Sequence, residues 1–338
     1  MTIHLNQVLS HYDIGKPCGA WPVERGFINE SRKIETTSGN YFLKHYHPDL
    51  CHPDIIRAQH TLVAHLRRGS FPAPALMPTT GGGTLLICEG GFYEIQEYIG
   101  GTFYDHDRPE HFREAARMLG QYHTKVAGFA PQALHDLGTL YGPAILRANL
   151  TNLAKAWGLD RGPEMAQVVR QLEAHTDDLV ARFATHGALP HLIIHGDYYA
   201  DNLLFEYGRD STLIVGVVDY DKARWQPRVV ELAETLIYFA SPRSGHLRHL
   251  IYPGFLEWEP FERFLRHYAS VASIAKSELQ ALPDYVRCIW LQVALQRLGE
   301  KSPRPPEASE ALREVLALGE WTRANTEQMT ETGESSNA

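Results

Sequence analysis

Cysteine is scarce: Cys18, Cys51, Cys88 and Cys288 are the four in 338 residues, and none forms a CxxC pair. That spacing argues against a disulfide framework or a cysteine zinc site, so reduced thiols are expected. Long apolar runs are missing too; no stretch approaches the ~18 residues of a membrane span. The opening MTIHLNQVLS has no basic segment followed by an apolar one, so it does not read as a signal peptide. A soluble, cytoplasmic protein with no membrane partner is the expectation. A basic block is also lacking. The formal net charge of −8 is spread along the chain, without the electrostatic footprint that nucleic acid requires. No internal repeat is evident.

What is present is a 44% hydrophobic content, enough to fill the cores of two ordinary domains. Histidine is abundant at 18 residues, and His45, His47, His52, His60 and His65 crowd one region. Their spacings match no familiar ligand pattern, so solvated surface histidines are expected there rather than a metal site.

Residues 34–46, IETTSGNYFLKHY, read as a hairpin turning at Ser38-Gly39-Asn40. Ile55, Ala58, Leu62 and Leu66 fall at helical spacing, which Gly69, Pro72 and Pro74 end. Residues 84–99 return to strand composition around Gly90-Gly91. Helices dominate after Gly100-Gly101. Phe112, Ala115, Ala116, Leu119, Tyr122 and Val126 share one face, and further helices are expected over 163–185, 229–240, 260–281 and 284–298. Residues 192–220 interrupt them with short strand candidates. The expectation is an α+β chain: a strand-rich unit over 1–100, a larger helical unit over 101–320, and a polar, disordered tail over 321–338.

The stretch HGDYYADNLLF at 195–205 carries the chemistry. Asp197 and Asn202, with Asp219 at the end of the apolar run 213–218, supply oxygen ligands suited to a hard cation such as Mg²⁺. If Asn202 and Asp219 hold the cation, Asp197 is free to take a proton from an attacking hydroxyl, the division of labour in kinase-type phosphoryl transfer. A polar turn in which Asp and Asn only satisfy loop backbone groups explains the stretch alone equally well. Lys44, in the strand candidate YFLK, tips the balance, because a lysine that contacts nucleotide phosphates is expected on such a strand. The turn containing Gly26 and Asn29 lies ahead of it, placed to cover phosphates.

The ordered set resembles the aminoglycoside phosphotransferase and choline kinase-like family over roughly residues 12–300. The matching elements are H-G-D-x-x-x-x-N at His195, Gly196, Asp197 and Asn202, then Asp219 in VVDYDKA, and Leu119-Gly120-Gln121-Tyr122-His123. The resemblance implies a two-lobed protein-kinase-like fold, with a small strand-rich N-lobe and a larger, mainly helical C-lobe. It implies ATP (GTP remaining open) as co-substrate, Mg²⁺ as cofactor, a small hydroxyl-bearing acceptor, and a monomer or homodimer. His195 and Asp197 would belong to the catalytic loop, Lys44 would meet the phosphates, and Gln96, Glu97 and Tyr98 would form the hinge at adenine. His123 is expected as a packed core residue.

Two positions depart from the family pattern. Gln59 stands where a helix glutamate usually pairs with the strand lysine, and its amide would hydrogen-bond Lys44 instead of forming an ion pair. Glu231 replaces an aspartate that braces the catalytic loop, a role Glu231 is expected to keep. Tyr198, Asp221, Arg224, Trp225, Trp258, Trp290 and Arg297 are candidates to line the acceptor pocket. NESRKIETTSGNYFLK and the ADN of the loop are similar to bacterial homoserine kinases of the superfamily, while an amino alcohol, an amino sugar or an antibiotic stays open as acceptor. The competing class is a pseudokinase that binds nucleotide or protein without transfer.

Overall fold

The computed structural model describes residues 5–23, 29–47, 51–159, 162–208, 212–241, 255–300 and 308–337. In chain order the elements are α1 (Leu5–Leu9), β1 (Pro17–Pro22), β2 (Glu30–Thr36), β3 (Gly39–Tyr46), α2 (Pro53–Arg68), β4 (Leu86–Cys88), β5 (Gly91–Glu97), β6 (Thr102–Phe103), α3 (Pro109–Lys125), α4 (Gln132–His135), α5 (Pro143–Trp157) and α6 (Pro163–Thr185). They continue with β7 (His191–Ile194), β8 (Leu203–Tyr207), β9 (Thr212–Val217), β10 (Arg224–Pro227), α7 (Arg228–Ala240), α8 (Trp258–Ala269), α9 (Lys276–Gly299), α10 (Ala308–Ala324) and α11 (Thr326–Ser336). They cluster into two compact units, each built from separated stretches. Met1–Asp105, Lys125–Leu137 and His195–Trp225 make the first, and His106–Thr124, Gly138–Ile194 and Gln226–Ala338 the second. This grouping differs from a single cut at Gly100-Gly101, because the 195–225 segment clusters with the N-terminal strands.

In the first unit five strands form an antiparallel sheet in the order β1-β2-β3-β5-β4, which makes β3 central. The β2–β3 hairpin closes over Thr37 and Ser38, with Thr36 paired to Gly39, one residue earlier than the sequence pattern indicates. Glu89 and Gly90 take φ of 48° and 78°, the two left-handed positions of a type I′ turn between β4 and β5. Ile34, Leu43, Tyr93 and Ile95 bury one sheet face against Val8, Leu9, Tyr12 and Ile14. Because side chains alternate along a strand, Lys44 and Glu94 point to the other face. α2 starts at Pro53, a residue that suits the first helical turn. Its buried stripe includes Ile56, Leu62 and Leu66, and also Gln59 and His60. A second sheet, β6-β8-β9, carries the loop that begins at His195.

In the second unit α9 is buried on nearly every side, with Glu278, Asp284, Arg287 and Gln292 among its buried residues, and packs on α5, α7, α10 and α11. The sequence pattern differs from the structure here: the helix expected over 260–281 ends at Ala269, and α9 begins at Lys276, well before Pro283. Glu278 sets that start. Its carboxylate accepts the Ala275 N–H at 2.9 Å and pairs with Arg228.

The tail expected to be disordered is helical through α11. Met329, Gly333 and Ser336 are buried, and a Cβ on Gly333 would meet Leu279 Cδ2 at 2.8 Å. Asn337 closes the end by exchanging hydrogen bonds with the Ile274 backbone, at 3.0 and 2.8 Å. Its polar composition hid the helical spacing of these few small and apolar residues. Among the described residues no helix is long and apolar enough to cross a membrane.

Candidate active site

The site in the first unit is built from β3, α2, β5 and the 195–222 segment. Lys44 is buried on β3, and its Nζ donates to Asp219 Oδ1 at 2.9 Å and to Asp221 Oδ1 at 2.6 Å. Burial works against the ammonium, but Asp219, Asp221 and Glu94 outweigh it, so the Lys44 pKa lies above its usual value. The two aspartates divide. Burial pushes Asp219 up, but Lys44, with His195 and Lys222 adding to it, outweighs that push and leaves the carboxyl below its usual range. Asp221 is pushed up to about 6 by burial, with the charge of Asp219 adding to the push and Lys44 opposing it.

Asp219 lies two residues past β9 with φ of 68°, a left-handed conformation that Asp tolerates better than most residues. The turn rotates its carboxylate off the strand direction and toward Lys44. The backbone before it is tied to the loop, since the Val218 N–H donates to Asn202 O at 3.0 Å.

The loop itself is held by its own motif. His195 is fully buried. Its Nδ1 accepts the Asp197 N–H at 3.3 Å, which places the proton on Nε2, 3.1 Å from Val218 O. Gly196 has φ of 76°, and a Cβ there would stand 2.6 Å from Lys222 O, so glycine is required. Asp197 Oδ1 accepts from Lys222 Nζ at 2.5 Å. Asn202 donates through Nδ2 to Asp197 O at 2.8 Å and to Asp197 Oδ2 at 3.3 Å, which leaves its amide oxygen for other contacts.

The remaining expected residues fall into place unevenly. Asn29 joins the cluster: its Nδ2 donates to Asp221 Oδ2 at 2.6 Å, and its Oδ1 accepts the His47 N–H at 3.0 Å. Gly26 lies outside the described residues. Gln59 does not bond Lys44, as the sequence pattern suggested; its amide donates to Asp221 O at 2.7 Å. Gln96 donates to Glu94. Glu97 accepts from Arg67 Nη1 at 2.7 Å, and Tyr98 is exposed beneath Lys33 Nζ, 4.6 Å from its ring centre. The N–H groups of Glu97 and Tyr98 are taken by Ala75 O and Asn40 O, so those two donors are already spent within the protein.

Among the acceptor candidates, Asp221 belongs to the Lys44 cluster. Tyr198 is 1% exposed and packs edge-on against His195. Trp225 stacks on His135 at 5.4 Å. Trp258 stands in the second unit, stacked on Trp321, and Trp290 meets Trp321 edge-on. Glu231 and His123 are also in the second unit and fully buried, with 2.8 Å between Glu231 Oε2 and His123 Nε2, while His123 Nδ1 lies 2.8 Å from Tyr268 Oη.

The histidine-rich region departs from the surface reading. His45 is buried and stacked on Tyr93 at 4.4 Å, and His60 is buried against Glu94. Among the described residues no group of three or more His, Cys, Asp or Glu side chains gathers as a metal site. Sequence reasoning missed Lys222, His60 and Glu94. A polar residue at every second position of YEIQE was the available signal for Glu94.

The fold matches that of protein-kinase-like phosphotransferase structures. A microcompartment-associated aminopropanol kinase superposes with a TM-score of 0.70 at 17% identity, over 96% of this chain and 98% of that one. An amicoumacin kinase in complex with AMP-PNP, Ca²⁺ and Ami superposes with a TM-score of 0.68 at 11% identity, over 93% of this chain and 92% of that one. The chain belongs to the phosphotransferase enzyme family (APH), whose model matches residues 20–272. A homoserine kinase of Phenylobacterium zucineum (strain HLK1) is 24% identical over 305 residues, covering 90% of this chain and 87% of its own length. The chain is thus a small-molecule kinase with a hydroxyl group as acceptor.

Proposed function

We propose that the chain transfers the γ-phosphoryl group of ATP to the hydroxyl of a small amino-bearing acceptor, an amino alcohol or a hydroxy amino acid such as homoserine. The observation that carries this is the convergence of Lys44, Asp219 and Asp221, within hydrogen-bond reach, in the unit that also holds Asp197 and Asn202. The similarity to a homoserine kinase and to an aminopropanol kinase supports the acceptor class.

The donor set suits a hard cation. Asp219 offers a carboxylate whose side chain is 39% exposed, and Asn202 offers an amide oxygen. Mg²⁺ takes one or two such protein ligands and completes its shell with phosphates and water. When bound there it would neutralise charge on the nucleotide phosphates. Lys44 adds a fixed positive charge at the same place. Asp197, oriented by Asn202 and Lys222, accepts the proton of the acceptor hydroxyl as that oxygen attacks phosphorus. His195 keeps the loop backbone in register, and Glu231 secures the helical side through His123.

The test is a screen of homoserine, amino alcohols, amino sugars and antibiotics with γ-labelled ATP and GTP. Label is expected on an amino-bearing hydroxyl acceptor, and Asp197→Ala is expected to abolish transfer while nucleotide binding persists. Nucleotide binding without transfer to any acceptor would instead make the chain a pseudokinase.

A further inference from the structure

Three anionic groups surround Lys44, and they are not equivalent. Asp219 and Asp221 are partly exposed, with side chains 39% and 29% accessible. Glu94 is 2% exposed and stands directly opposite Lys44 in the β3–β5 register, so the two side chains leave the same face as nearest cross-strand neighbours. Its carboxylate is fixed from three directions. Tyr46 Oη donates to Oε2 at 2.6 Å, His60 Nε2 lies 2.5 Å from the same oxygen, and Gln96 Nε2 donates to Oε1. His60 is anchored in turn by Thr84 Oγ1, 2.7 Å from its Nδ1. Burial alone would raise Glu94, but His60, Lys44 and Tyr46 together hold it below its usual value, so it is an anion.

We propose that Glu94 is the positioning residue of Lys44, tied to α2 through His60. The inference rests on the kinase reading above. Gln59, one residue earlier on α2, is occupied by Asp221 O and leaves the task open. When phosphate oxygens draw the Lys44 ammonium away from Asp219 and Asp221, Glu94 is the carboxylate that stays in place, because three donors and its burial fix it. The lysine therefore has a constant electrostatic partner behind it whether or not nucleotide is present, and α2 senses the lysine through an imidazole rather than through a carboxylate of its own.

The test is a double-mutant cycle of Glu94→Gln and Lys44→Met, read both in kcat/KM for ATP and in the Kd of a non-hydrolysable ATP analogue. Glu94→Gln alone is expected to weaken both at least tenfold, with KM for the acceptor unchanged. In the Lys44→Met background it is expected to cost less than twofold, whereas a purely structural role would subtract equally in both backgrounds. Additive losses, or a Glu94→Gln protein with native nucleotide affinity, overturn the proposal. If Glu94→Gln does not fold, His60→Gln takes its place in the same cycle with the same expected non-additivity. A native chain that binds the analogue with this coupling but transfers no phosphate would overturn the kinase reading alone, and one that binds no nucleotide would overturn both.

Discussion

The imidazole of His195 bridges the backbone of Asp197 and the carbonyl of Val218, the residue before Asp219. One side chain thus fixes the spacing between the loop of the proposed base and the turn of the proposed cation ligand. His195→Phe keeps an aromatic ring but removes both hydrogen bonds. Each polar group left without a partner costs about 1–3 kcal/mol, so urea denaturation should register a loss of that order, and turnover should fall at least tenfold.

Gly196→Ala is expected to be worse for activity than for folding. The added methyl meets Lys222 O at 2.6 Å, and the left-handed φ of 76° disfavours any side chain. Backbone strain of this kind costs of order 1–3 kcal/mol, and relief requires the 222 backbone to retreat, taking Lys222 Nζ away from Asp197. A variant that folds but keeps native kcat would refute the fit described for this loop.

Acid sensitivity should arise in the second unit. Burial, reinforced by Arg287 and Arg323, lowers the His175 pKa from 6.5 to about 4. The side chain is 4% exposed, and its Nδ1 has no hydrogen-bond partner. Between those two pH values the unfolded chain binds the proton and the folded chain does not, so stability is complete above 6.5 and declines as pH falls toward 4. At ~1.4 kcal/mol per pH unit the loss amounts to about 3 kcal/mol. His175→Leu should flatten that slope in denaturation curves taken across the same window.

Met329→Ala tests the helical tail. Met329 is fully buried, and truncating such a side chain to Ala costs about 2–5 kcal/mol. A thermal midpoint unchanged by the substitution would mean that α11 contributes nothing to the second unit.

Local periodicity made much of this legible. Residues 163–185 read as a helix and are one, because a long amphipathic stretch leaves no alternative. Asp197, Asn202 and Asp219 stood out as candidates because oxygen ligands recur at fixed offsets around short strands, and all three fall in the first unit. The partners of Lys44 were not legible. Glu94 is opposite it only through strand register, and Asp221 reaches it across 177 positions of sequence, and no local pattern encodes either distance. The ring of Tyr198, packed on His195, was not legible either: proximity to Asp197 in sequence says nothing about which way an aromatic ring turns. The tail misled because a helix that packs small residues into a groove needs few apolar ones.

The first unit is completed by a segment that begins 90 residues after its main body ends, from Asp105 to His195. Lys44 and Asp219 are 175 positions apart. Closing so long a loop carries an entropic cost that must be met before the ion pair returns anything, which makes high-contact-order folding slow. During synthesis the N-terminal sheet must therefore wait, with the basic end of Lys44 uncompensated by either aspartate, until residue 221 has emerged. The proposed nucleotide site is the last part of the first unit to become whole.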